Sequence, residues 1–129
     1  MKLNPDCIRD ILLSIEETTD YYTRFEYVPG TSIHGRIQKY SHDEIIYHIH
    51  QCRLSGLVFR CEINGNGGYI TIEDLSPSGH EFLEKIRADT IWNKTKEIAG
   101  AIGTKSLDAT IQIASVVLTE IVKAHLGIK

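Results

Sequence analysis

The chain has 129 residues, 42% hydrophobic and 24% charged, which is enough for one domain with its own core and too little for two substantial ones. Its formal net charge of -3 supplies no global field for nucleic acid or an acidic membrane surface, so any such contact needs a local patch. Three cysteines, Cys7, Cys52 and Cys61, follow no CxxC spacing and come without a signal sequence; they read as reduced thiols of a cytoplasmic protein.

The first predicted element is a helix from about Pro5 to Glu17. Asn4 can cap it, Pro5 suits its first position, and Ile8, Ile11, Leu12 and Ile15 make one apolar stripe. The aromatic and β-branched run that ends at Pro29-Gly30 predicts a strand from Tyr22 to Val28. A loop, TSIHGRIQK, leads to a second helix, His42 to Leu54, with Ile45, Ile49 and Cys52 on one face and Gly56 as its stop. Strands Leu57 to Ile63 and Tyr69 to Leu75 follow, joined by NGNGG, whose residues tolerate the positive φ of a tight hairpin. A third helix begins at SPSGHEFLEKI, with Ser76 or Ser78 as its cap and Phe82, Leu83 and Ile86 as its buried face.

The expected architecture is α+β. Residues 1–87 form a winged-helix-like domain of helix, strand, helix, two-stranded wing and helix, and residues 88–129 a C-terminal helical hairpin for oligomerisation. In that hairpin, Asp89 caps a helix with Ile91, Thr95, Ile98 and Ile102 on one side, and Gly100 and Gly103 break it. The last helix, Ser106 to Leu126, carries Leu107, Ile111, Ala114, Leu118 and Ile121 at heptad spacing, widened by Ile113, Val117 and Val122. A helix apolar over so much of its circumference needs partners on more than one side, so a second copy of the chain is expected against it. No membrane span is expected. The longest apolar tract, Ala109 to Leu118, is interrupted by Thr110, Gln112 and Ser115 and bracketed by Asp108, Glu120 and Lys123.

The stretches MKLNPDCIRDILL, SHDEIIYHIHQCRLSGLV and LSPSGHEFLEKIRADTIWNKTKEIA, followed by an apolar final helix, resemble domain-of-unknown-function family 2513 of bacteria, phages and prophages. The resemblance implies a phage-linked cytosolic protein with a winged-helix-like front half. It transfers no catalytic residues.

The helix His42 to Leu54 lies where such a fold reads DNA, yet from Tyr40 to Leu54 its fixed charges are Asp43, Glu44 and Arg53. Residues 1–87 hold nine Lys and Arg against thirteen Asp and Glu, which argues against nucleic acid as the partner. His48 and Cys52 share a helical face but lack HExxH or paired CxxC spacing, so no metal is expected and the histidines are read as surface or boundary residues. Cys7, in the first turn of a helix, has no His or acid tied to it by any motif, and no cofactor motif is present. The candidate ligand site is Tyr22 and Arg24 on the first strand, Arg36 and Lys39 from the loop, and Arg60 on a later strand. Aromatic planes with guanidinium groups suit a small nucleotide-like molecule. The expected function is a non-enzymatic oligomeric binding protein that occupies a host protein or sequesters such a nucleotide signal, a counter-defence role in a phage setting. The alternatives are a winged-helix DNA-binding regulator and an enzyme.

Overall fold

A computed structural model describes residues 1–30 and 34–127. It is an α+β fold of five helices and a three-stranded antiparallel sheet: α1 (Pro5–Thr18), β1 (Phe25–Tyr27), α2 (His42–Leu54), β2 (Val58–Asn64), β3 (Tyr69–Leu75), α3 (Pro77–Ile86), α4 (Asp89–Ile102) and α5 (Leu107–Leu126). Part of the predicted loop, Thr31 to Ile33, lies outside the described residues. The rest forms a single 3₁₀ turn, Gly35–Ile37, which buries Ile37.

Capping sets the helix starts. The Asn4 side chain accepts from the Asp6 amide ahead of α1. At α2, Ser41 and Glu44 form a reciprocal capping box, and Ser76 accepts from the Gly79 amide at α3. β3 is the central strand, in the order β1-β3-β2, with Phe25 opposite Ile72 and Cys61 opposite the same residue on the other side. Ile70 and Ile72 therefore share the inner face with Phe25 and Tyr27, where the stripes of α1, α2 and α3 cover them.

β1 is shorter than the predicted strand, Tyr22 to Val28. The Asp20 carboxylate accepts from the amides of Tyr22 and Thr23, each at 2.8 Å, and the Asp20 amide donates to the Thr23 carbonyl. That local turn uses the backbone groups a strand would have offered to β3. Tyr22 is left 93% exposed, outside the sheet.

α4 also differs from its prediction. It runs through Gly100 and ends at Gly103, whose φ of 81° supplies the left-handed cap, and Asp89 is its first residue, with Ala88 at the cap position. Its buried face is Trp92, Thr95 and Ala99, whereas Ile102 is 67% exposed. On that face the Trp92 indole Nε1 donates to Asp6 on α1 at 2.8 Å, and the side chains of Arg9 and Lys96 lie over its ring. Arg9 also donates to the carbonyls of Ile86 and Arg87 and to the Asp89 carboxylate. One core cluster thus contains residues of α1, α2, α3 and the sheet together with Trp92, Leu107 and Ala114, and it continues past the residue 87 boundary expected from sequence.

His48 corrects the reading of the histidines as surface or boundary residues. It is fully buried. Its Nδ1 lies 2.6 Å from the Glu44 carbonyl, so that nitrogen carries the proton, and Nε2 accepts from the Asn4 amide at 2.7 Å. Burial holds the pKa below the ordinary 6.5, against the Glu44 carbonyl and carboxylate, which favour the charged form. Protonation would put a charge in the core and remove the lone pair that ties α2 to the start of α1. The unfolded chain takes up that proton below about pH 6.5 while the folded chain resists it. The penalty is therefore absent above that pH, where stability is at its full value, and stability falls on acidification below it by up to about 1.4 kcal/mol per pH unit. Urea midpoints at pH 7.5 and 5.5 should separate in the wild type and draw together in His48→Gln; equal separation in both proteins would contradict this assignment.

Candidate interaction site

The structure divides the predicted ligand constellation. Register places Arg24 one step before β1, opposite Glu73, while Arg60 follows Phe59 on β2, so the two flank Glu73 on the outer face of the sheet. That face also carries Glu26 and Glu62. Arg60 Nε is 3.6 Å from Glu73 Oε2, and the Tyr69 phenol is pushed up by its hydrogen bond to Glu26. Three carboxylates beside two guanidinium groups make a mixed surface, not a phosphate cradle.

Arg36 and Lys39 lie on the α1 side. Arg36 donates through Nε to Glu17 at 2.8 Å, and Lys39 Nζ is 3.2 Å from Asp10. Tyr22 projects from the Asp20 turn with its ring edge-on to Tyr21. These five residues therefore do not converge.

The thiols are packing groups. Cys7 lies in the core, where burial pushes it up to about 12; burial also raises Cys52, which sits on the α2 stripe beside Ile49. Among the described residues no three His, Cys, Asp or Glu side chains cluster as metal ligands.

The strongest surface feature is built by α4 and α5. The Ser106 side chain accepts from Ala109 and starts α5, which then buries Leu107, Thr110, Ala114 and Val117 against the chain's own core. Lys85 on α3 donates to Ser115 at 2.9 Å and fastens the same half of the helix. Of the predicted oligomer residues, Leu107 and Ala114 thus pack inside the subunit, Ile111 and Leu118 are half-buried, and Ile121 faces solvent at the rim. The sequence reading missed Thr110: its hydroxyl donates to the Ser106 carbonyl, which satisfies it internally and lets a polar residue face the core.

This rotation leaves a continuous apolar groove on the other side. Ile98 and Ile102 of α4 face Ile113 and Val116 of α5, and Val116 is 61% exposed. An adjoining hollow shares Ile98 and Val116 and continues past Ile121 to Ala124. Exposed ion pairs edge it, Lys94 with Glu97 and Glu120 with Lys123. By length and composition α5 would also suffice to cross a membrane. The inner side of its first three turns packs on the chain's own core and is tied to α3 through Lys85.

A family model described as Hypothetical protein (DUF2513) matches residues 2–105. An uncharacterized protein of Haemophilus influenzae is 29% identical over 125 residues, which cover 93% of this chain and 98% of that protein. No solved structure matches the chain.

Proposed function

This chain belongs to the family described as Hypothetical protein (DUF2513), and from that premise we propose that it is a non-enzymatic binding protein that associates with itself through α4 and α5. The single observation that carries this reading is the apolar groove from Ile102 to Ile121. Water contact with so much branched aliphatic surface is unfavourable, at roughly 25 cal/mol per Å² of apolar area, and a second copy would remove it. An isologous contact is the simplest closed solution, because one groove then serves both subunits.

The front half supports a winged-helix-like arrangement. Its sheet order is β1-β3-β2, with α2 directly ahead of the β2–β3 hairpin. The outer side of α2 nevertheless presents Asp43 and Arg53 with Tyr47, His50 and the exposed Leu54, and its capping box already uses Glu44. A surface with one arginine and an acidic N-terminus suits a protein better than phosphates.

Val116→Asp and Ile121→Asp test the self-association. Each would place a carboxylate opposite its symmetry mate at an apolar contact, which costs several kcal/mol when unpaired. Light scattering should show dissociation to the 14.6 kDa chain with an unchanged circular dichroism spectrum, because both side chains are exposed in the single subunit. Association that survives both substitutions would contradict the assignment.

A further inference from the structure

β2 forms one margin of the sheet, and along Val58–Asn64 it has a strand partner on one side only, β3. The opposite margin, β1, is three residues long, and its Glu26 carbonyl already accepts from His34 Nε2 at 2.6 Å. The β2 sequence, VFRCEIN, mixes β-branched and aromatic residues, and Phe59 is 47% exposed. An open edge of that length and composition is a template for a further strand. The strand always at hand is β2 of a second copy. In an antiparallel pair of β2 strands centred on Cys61, Arg60 of each copy stands opposite Glu62 of the other, so charge would favour the contact.

One residue breaks that edge. Arg60, inside the strand, has a φ of 50°, and among the described residues the one other positive φ outside glycine is Asn66, in the hairpin turn. Phe59 pairs with Asp74 and Cys61 with Ile72, but the rung between them, Arg60 with Glu73, is missing. The Ser76 amide donates to the Leu57 carbonyl, which makes those two a hydrogen-bonded pair. By alternation Phe59, Cys61 and Ile63 then turn their backbone groups to β3, and Val58, Arg60 and Glu62 turn theirs to the open side. The left-handed residue is therefore one whose groups an added strand would need. Its conformation is unfavourable for any residue with a Cβ, and little nearby offsets it. The guanidinium lies over the Phe59 ring at 5.1 Å, but its Nε is 3.6 Å from Glu73 Oε2, beyond a hydrogen bond, on a side chain that is 72% exposed.

We propose that the open edge of β2 is a second self-pairing surface of this chain, and that the left-handed backbone of Arg60 is the guard that keeps it closed. Charge does not guard it, since Arg60 and Glu62 attract across the pair; the interrupted pleat does. A subunit that joined one neighbour through α4 and α5 and another through β2 would carry two self-complementary surfaces, and such subunits grow into open chains instead of closing as pairs. That consequence rests on the reading of the groove given above. The guard itself does not, because without the α4–α5 contact an unguarded β2 yields pairs instead of chains.

Arg60→Thr and Arg60→Asn, made in the full chain and kept reduced, test the guard. Both remove the charge and keep a polar side chain, but Asn tolerates the left-handed region, whereas β-branched Thr returns the residue to the extended one. Sedimentation velocity of Arg60→Thr should show species heavier than any the wild type forms, growing with concentration: chains if the wild type is paired, pairs if the wild type is a single 14.6 kDa chain. Arg60→Asn should sediment as the wild type does. Adding Glu62→Pro, which removes an N–H from the open side alone, should return Arg60→Thr to the wild-type distribution. Arg60→Gly gives a check that needs no association and holds even if Arg60→Thr fails to fold. It should melt no lower than the wild type, because Gly meets no steric penalty at positive φ, while Glu62→Gly, at an ordinary strand position, should melt a few degrees lower. The proposal is overturned if Arg60→Thr matches the wild type at every concentration, if Arg60→Asn associates as Arg60→Thr does, if Glu62→Pro leaves the added association in place, or if Arg60→Gly lowers the melting temperature as much as Glu62→Gly does.

Discussion

Gly79→Ala should destabilise the protein by about 3 kcal/mol or more, enough to leave a domain of ordinary stability largely unfolded on mild heating. The chain enters α3 pressed against the turn between α2 and β2. The Ser76 amide donates to the Leu57 carbonyl at 3.0 Å, and the Ser76 hydroxyl donates to the Gly56 carbonyl. A Cβ on Gly79 would stand 2.0 Å from the Leu57 carbonyl oxygen and 2.9 Å from its carbon. Those are backbone atoms at the start of a paired strand, so no rotamer change relieves the clash. Gly100 provides the opposite case: it lies inside α4 with nothing within 4 Å of its would-be Cβ. Gly100→Ala should stabilise by up to about 1 kcal/mol through helix propensity. Thermal melts of the two variants beside the wild type check both. An unchanged melting temperature in Gly79→Ala would show that α3 does not meet Leu57 so closely.

Trp92→Ala should cost about 3 to 5 kcal/mol, the usual range for deleting a fully buried large aromatic. The indole is 2% exposed and ties α4 to α1 through its bond to Asp6. Its loss leaves a cavity and removes one of the two side-chain donors to Asp6, Lys96 being the other. Burial of that carboxyl raises its pKa, but hydrogen bonds from Lys96 and Trp92 outweigh burial and hold it low. Trp92→Phe should recover much of the packing without the Nε1–H donor. Chemical denaturation followed by circular dichroism should therefore rank wild type above Trp92→Phe and Trp92→Phe above Trp92→Ala. If Trp92→Ala lost only the signal of α4 and α5 and the remainder unfolded at the wild-type midpoint, the continuous core described above would be wrong.

The sequence made the backbone order legible because its signals are local. α2 begins and ends at His42 and Leu54 as its apolar spacing and Gly56 predict, and β3 spans Tyr69 to Leu75 as its alternation predicts. What the sequence hid was side-chain direction. Ile91, Ile98 and Ile102 form the more apolar stripe of α4, yet the helix buries Trp92, Thr95 and Ala99, with the indole bonded to Asp6 of α1. In α5 the heptad Leu107 to Ile121 competes with the set Leu107, Thr110, Ala114 and Val117, and Thr110 joins the core because its hydroxyl is satisfied within the helix. His48 and His34 are buried through bonds to distant backbone groups, Asn4 and Glu26, which no spacing rule reveals. The arginines follow the same pattern. Their carboxylate partners, such as Glu17 for Arg36, are separated from them in sequence and fixed only by the fold.

Sedimentation equilibrium of the wild-type chain across a wide concentration range tests the central claim most directly. Self-association through α4 and α5 predicts a species of at least twice 14.6 kDa that persists at high salt, since the contact is apolar. A single 14.6 kDa species at every concentration would contradict it.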